Sequence, residues 1–203
     1  VAPCRAETTG SESDMALWLH DWALDQLGYD HSPNWCSAES GLTRHQGTCE
    51  SYQRIYAKLL SAAGIANGRE KGNCHIWNAA RIDGKWCQMN LTWDDTDDSW
   101  YGDLDQRHLH FGLTDELMAI AHSDHEKNYQ ADGYAYRSTD LSNDYFVRSG
   151  KADEWAQAYA GRIQQYLDAK ETSFSIDADS GTFPPSISGI QNTIIAYAMN
   201  QRG

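Results

Sequence analysis

The stretch from Gly47 to Gly64, GTCESYQRIYAKLLSAAG, constrains the fold more than any other part of the chain. Tyr52, Ile55, Tyr56, Leu59, Leu60 and Ala63 recur at three- and four-residue steps, which is one apolar face of an α-helix. Gly64 supplies the stop, because the left-handed conformation at a helix C-terminus costs glycine little. Thr48 is a good N-cap, so Cys49 falls in the first turn. Backbone N–H groups there favour a negative charge, and with it a thiolate. A helix that begins with a cysteine suits a nucleophile, but a buried structural cysteine or half of a disulfide fits the same pattern.

Its potential partners lie in NCHIWNAARIDGKWCQMNLTWDD, where two runs flank Asp83-Gly84, a typical two-residue hairpin turn. With that pair in the turn, Ile82 faces Lys85, Trp77 faces Asn90 and His75 faces Thr92. Side chains alternate along a strand, so these last four share one face, with His75 and Asn90 on a reachable diagonal. Cys87 points the other way beside Ala80, which excludes a Cys74–Cys87 bridge across this hairpin. Of the five cysteines (Cys4, Cys36, Cys49, Cys74, Cys87), Cys4 and Cys36 are then the best disulfide candidates. No CxxC occurs, so no structural zinc site, metal or cofactor is expected.

The remaining chain reads in order. Residues 1–13 form a polar, frayed segment. Asp14 caps a helix with the stripe Met15, Leu19, Trp22, Ala23 and Leu27, ended by Gly28, with His20 and His31 at the surface. Asp30 to Gln46 is a loop that forms one wall of any cleft, with Trp35 and Gln46 as candidate substrate contacts. IANGREKG is a polar connection. The acidic loop DDTDDSWYGDLD lacks EF-hand spacing and reads as solvated. Thr114 caps a short helix, DYFVRSG is a strand, EWAQAYAGRIQQYLDA a helix, TSFSID a strand and ISGIQNTIIAYAMN a last helix. The element order is that of an α+β protein.

Charge narrows the function classes. The balance of 29 acidic to 16 basic residues, net −13, disfavours nucleic acid and anionic membrane surfaces, where Lys and Arg contacts to phosphate dominate. No run approaches the ~20 apolar residues of a membrane span. The opening at Val1 rather than methionine reads as either a trimmed export signal or an arbitrary chain boundary, and the compartment leans to secreted or cell surface.

A cysteine at a helix start, followed by a histidine and an amide or carboxylate on adjacent strands, is the arrangement of cysteine acyl-transfer enzymes. The segments GTCESYQRIYAKLLSAAGI, HIWN, IDGKW and NLTWDD resemble the transglutaminase-like superfamily, in particular its bacterial exported members. WLHDWALDQLGYD, HFGLTDELMAIAH and DYFVRSG resemble further segments, so the likeness runs from about Asp14 to Gly150. It implies a papain-like core at residues 14–150, a central helix bearing Cys49 packed on an antiparallel sheet. The polar segment at 1–13 precedes it, and a helix-strand-helix addition at 151–203 packs on it. It also implies Cys49 as nucleophile, His75 as general base and acid, and Asn90 as the third member where the family has aspartate. Asp94 and Asp95 are alternative carboxylates. Trp77 and Trp93 match family positions, and Trp77 joins Trp35 and Gln46 as a candidate substrate contact. Asparagine can orient an imidazole but supplies no charge to an imidazolium.

Two functions follow. One is a cysteine-dependent amide acyl-transfer enzyme, of transglutaminase or peptidase type, acting on extracellular protein or peptide substrates, cell-wall-associated ones included. The other is a non-catalytic binding domain that keeps the fold. Either is expected as a monomer or a module of a larger surface protein.

Overall fold

The computed structural model describes residues 1–32, 34–72, 74–95, 105–121, 136–175 and 185–202. In chain order the elements are α1 (Ala2–Glu7), α2 (Glu12–Gln26), β1 (Gly28–Tyr29), α3 (Ala38–Arg44), β2 (Gln46–Gly47), α4 (Cys49–Ala63), β3 (Asn67–Gly72), β4 (His75–Ile82) and β5 (Lys85–Met89). They continue with α5 (Leu91–Asp94), a 3₁₀ turn (Gln106–His108), β6 (Phe111–Leu113), α6 (Asp115–Ala121), α7 (Tyr145–Arg148), α8 (Lys151–Asp168) and α9 (Pro185–Arg202). Strands β3-β4-β5-β6 form an antiparallel meander, and β1 and β2 a short parallel pair.

Helix α4 lies where its apolar stripe directs it. Tyr52, Ile55, Tyr56 and Leu60 are buried with Leu19 and Ala23 of α2 against Ala80, Ile82, Cys87 and Met89 of the sheet. The opposite face of the sheet carries Trp77 and Leu113, packed with Leu117, Met118, Phe146, Ala152, Ala156, Ile190 and Ile194. The architecture is therefore a mixed α+β one in which the antiparallel sheet is sandwiched between helices. The Asp83-Gly84 hairpin has the expected register, Ile82 opposite Lys85 and Ala80 opposite Cys87. Both turn residues have positive φ, 51° and 80°, as the tightest hairpin turns require.

Several expectations are corrected. Residues 2–7 are helical rather than frayed, with Cys4 fully buried and its thiol directed at the Met15 carbonyl, 3.7 Å away. The Cys4–Cys36 bridge is absent, since none of the five cysteines is in a disulfide. Helix α2 is capped by Ser11, whose side chain accepts from the Asp14 N–H, and it ends at Leu27, with Gly28 starting β1. His20 is fully buried rather than at the surface. The loop at 30–46 contains α3, and the connection after Gly64 contains β3, a polar strand recognisable only once paired with β4. DYFVRSG forms α7, because Asp144 caps it by accepting from the Phe146 and Val147 amides. Thr172–Ser175 is not strand, and the rest of TSFSID, like most of the acidic loop, lies outside the described residues.

Strand β6 has an irregularity that sets its two core faces. Phe111 and Leu113 would face the same way in a regular strand, yet Phe111 joins the α2/α4 cluster and Leu113 the opposite one. Gly112, at φ 85°, sits between them at a register shift against Gln88 and Met89. This is the extra residue of a bulge that redirects its neighbours.

Asp144 gives the fold a pH signature. It is fully buried, and burial pushes its carboxyl up to about 8 despite two backbone N–H donors that oppose the shift. An acid whose folded pKa is raised above the unfolded ~3.9 contributes stability below about pH 4 and loses it as pH climbs to about 8. Asp144→Asn keeps the capping oxygen without the charge. In urea melts, the variant should gain on the wild type between pH 5 and pH 8.5; parallel pH profiles would sink the assignment.

Candidate active site

Cys49 occupies the first position of α4, with Thr48 as N-cap residue. The Thr48 backbone N–H donates to Ser51 Oγ at 3.3 Å, which fixes the chain's entry into the helix. Ser51 Oγ also faces the Trp35 carbonyl at 3.4 Å, so the upstream loop is tied to the first turn. Gly47 must stay small, since a Cβ there would stand 2.6 Å from that of Ser51.

His75 opens β4, and Asn90 follows directly after β5 as the residue before α5. The expected diagonal is realised by a different route. The strand pairing ends at Asn78 opposite Met89, so Asn90 and Thr92 have left the sheet. Asn90 is fully buried, and its backbone N–H donates to the His110 carbonyl at 3.1 Å. Its side-chain amide meets His75 Nε2, with Oδ1 at 3.2 Å and Nδ2 at 2.9 Å. One amide can thus hold the ring whether Nε2 carries a proton or not. Trp77 stacks beside the imidazole at 5.7 Å between centroids, and Trp93 approaches at 6.1 Å.

Cys49 and His75 share the walls of one cavity of about 350 Å³, with Glu50, Lys71, Gly72, Cys74 and Ile76. Lys71 and Gly72 are brought there by the pairing of Gly72 with His75 at a turn. Nothing in the polar run IANGREKG signalled this. Cys74 occupies that turn with φ 71°.

The candidate substrate contacts are placed differently. Trp35 is 54% exposed under the Arg44 guanidinium, 5.6 Å from the ring centroid. Gln46 is exposed on β2. Trp77 is 1% exposed, its indole N–H donating to Gln88 Oε1 at 2.7 Å. None of the three is among the described residues of the cavity wall. Trp77 is a backing for the His75 ring, so its burial corrects the expectation that it touches substrate. Tyr29, which is not among the candidate site residues, stands near Cys49: burial, then Cys49 and Asp30, push its phenol up. Asp94 is a buried residue of α5 engaged by His20 and His110 rather than a loop carboxylate, while Asp95 accepts from the Tyr52 hydroxyl.

The electrostatics of Cys49 depart from expectation. Burial raises its thiol pKa, and the Ile76 and Glu50 backbone amides, which favour thiolate, do not overcome that effect. Glu50 and Cys36 add to the rise. The helix start is therefore insufficient to ionise this thiol, so a thiolate here needs a cationic partner.

Comparison with known proteins adds partial likenesses. No protein-family model matches the sequence, and no curated protein matches it. A solved structure of a candidate cysteine protease from Cytophaga hutchinsonii is similar over 38% of this chain and 30% of that chain, at 22% identity and a TM-score of 0.36. A solved structure of a TGase is similar over 48% of this chain and 30% of that chain, at 16% identity and a TM-score of 0.41.

Proposed function

We propose that this chain is a cysteine-dependent amide acyl-transfer enzyme with Cys49 as nucleophile, His75 as proton carrier and Asn90 as the group that orients the ring. The observation that carries the reading is the cavity walled by both Cys49 and His75, with His75 Nε2 held against the Asn90 amide. His75 Nδ1, the nitrogen away from Asn90, takes the thiol proton, which supplies the cation that a buried thiolate needs. The thiolate attacks an amide carbon, forming a C–S bond while the carbonyl electrons move to oxygen. First-turn amides of α4 are suited to that oxyanion. Collapse breaks the C–N bond, and the imidazolium gives its proton to the departing amine. Water or a second amine then attacks the thioester, His75 receives its proton, and the thiolate is released. Water gives hydrolysis; an amine gives crosslinking. The motif resemblance adds protein or peptide substrates outside the cell.

One observation favours a second reading, a non-catalytic binding domain: the raised pKa of Cys49, beside an asparagine that lends no charge.

The test is the pH profile of iodoacetamide alkylation, site by site, by mass spectrometry. A thiolate–imidazolium pair keeps Cys49 reactive on a plateau below pH 7, while an ordinary thiol, such as that of a small reference thiol in the same tube, slows tenfold per pH unit. If Cys49 shows that same slope, the enzyme reading is lost and the cavity becomes a binding site to be probed with peptides.

A further inference from the structure

Outside the cavity, three histidines and three aspartates alternate in a continuous chain through the α2/α5 contact. His110 Nδ1 meets Asp94 Oδ1 at 2.9 Å, and Asp94 Oδ2 meets His20 Nε2 at 3.0 Å. His20 Nδ1 and His108 Nε2 converge on one oxygen, Asp21 Oδ1, at 2.9 and 2.7 Å. His108 Nδ1 ends the chain 2.8 Å from Asp105 Oδ1, in an ion-pair contact rather than an aligned hydrogen bond. Asp105 Oδ2 accepts from the Tyr145 hydroxyl at 2.9 Å, and the Tyr145 ring stacks on His108 at 4.0 Å.

We propose that His20 Nδ1, Asp21 Oδ1 and His108 Nε2 form a binding site for one divalent transition cation of the zinc class, which staples α2 to the 3₁₀ turn. The three ligand atoms lie within 4.8 Å of one another. Tetrahedral coordination at 2.0–2.1 Å would set them about 3.3 Å apart, against 2.9 and 2.7 Å now from Asp21 Oδ1 to the two nitrogens. Two imidazoles with one carboxylate select zinc-class ions over calcium or magnesium, which prefer oxygen donors. The surroundings also match what such a site needs. Each ligating ring has its remote nitrogen against a carboxylate, Asp94 for His20 and Asp105 for His108, and such partners fix the ring and raise its basicity. The His20 side chain is fully buried, whereas that of Asp21 is 40% exposed, leaving a side open for the ion's entry and a water as fourth ligand.

Charge balances on loading. His20 faces a carboxylate at each nitrogen, Asp21 at Nδ1 and Asp94 at Nε2, while His108 faces Asp21 at Nε2 and makes an ion-pair contact to Asp105 at Nδ1, so both rings can hold the extra proton without the ion. Entry of the dication displaces the protons on His20 Nδ1 and His108 Nε2: two protons leave, one M²⁺ arrives, and the cluster's net charge is unchanged. No sequence motif announces the site, because its ligands come from segments 87 residues apart.

The test is titration of the chelator-stripped full chain with Zn²⁺ by calorimetry and with Co²⁺ by visible absorption. Expected are one equivalent bound, a d–d band without thiolate-to-cobalt charge transfer, and a Tm rise of about 5–10 °C at a hundredfold excess over Kd. Asp21→Asn and His108→Gln should each weaken binding at least about a hundredfold, and Asp105→Asn about tenfold, an outer-sphere effect. Asp21 is sufficiently exposed that its variant folds even if His108→Gln does not. No uptake, uptake with a thiolate charge-transfer band, or wild-type affinity in Asp21→Asn would each overturn the proposal. None of these readouts depends on Cys49 being a nucleophile.

Discussion

His75→Ala should slow alkylation of Cys49 at pH 5 by roughly thirty- to a hundredfold. Paired with imidazolium, the thiol is largely ionised at that pH. Alone, with an ordinary pKa of ~8.5, only about one in three thousand molecules would be. A low-pKa thiolate is intrinsically less nucleophilic, by about 0.4–0.5 log units per pKa unit, which offsets part of that gain and leaves the stated factor. Burial of Cys49 raises its lone-thiol pKa further and widens the difference. The variant's profile should lose its plateau and rise tenfold per pH unit. Asn90→Asp should keep the plateau, because a carboxylate holds Nε2–H and supports the imidazolium. Asn90→Ala should narrow it, by freeing the ring to rotate. His75 is only half-buried at the start of β4, so His75→Ala leaves both cores in place and its unchanged melting curve is the control. An unaltered profile in His75→Ala would mean that the shared cavity is not a catalytic pairing.

The largest stability effect belongs to Gly112→Ala, expected to cost about 3–5 kcal/mol, a large share of a typical 5–15 kcal/mol total. Two penalties combine. At φ 85° an L side chain is strained by about 1–2 kcal/mol. The new Cβ would also stand 2.1 Å from the Asn143 carbonyl oxygen and 2.8 Å from the Asp144 Cα. These are backbone atoms, so no rotamer change relieves the clash. The segment is also pinned, since Asn143 Nδ2 donates to the Ile82 carbonyl at 2.9 Å and Asp144 caps α7. Gly84→Ala is the control: its φ is 80°, but nothing lies within 4 Å of its new Cβ, so strain alone should cost about 1 kcal/mol. Urea midpoints for the two variants separate collision from strain. Equal costs would mean that the Asn143 segment gives way freely.

What could be read in advance was governed by local chemistry. The stripe from Tyr52 to Ala63 and the stop at Gly64 required only helical periodicity, and Asp83-Gly84 fixed a register that the structure reproduces. Thr114 as the cap of α6, whose hydroxyl accepts from the Leu117 N–H at 3.2 Å, was legible for the same reason. The misreadings share another cause. DYFVRSG alternates like a strand, but Asp144 offers its backbone a cap, and capping outweighed propensity. IANGREKG has no apolar alternation, yet it forms β3 because β4 supplies its hydrogen bonds.

For the candidate site, the sequence by itself determined the local pieces: a cysteine at a helix start, and a hairpin with a histidine at one end and Asn90 just past the other. Those relations are short-range, set by one helix and one turn. Only the tertiary structure decided that Lys71, Cys74 and Tyr29 surround the thiol, that Trp77 backs the histidine from within a core, and that burial outweighs the first-turn amides at Cys49. The His20–Asp21–His108 cluster belongs to the same class. Burial and long-range approach depend on how distant elements pack, and the spacing of residues along one segment carries no record of that.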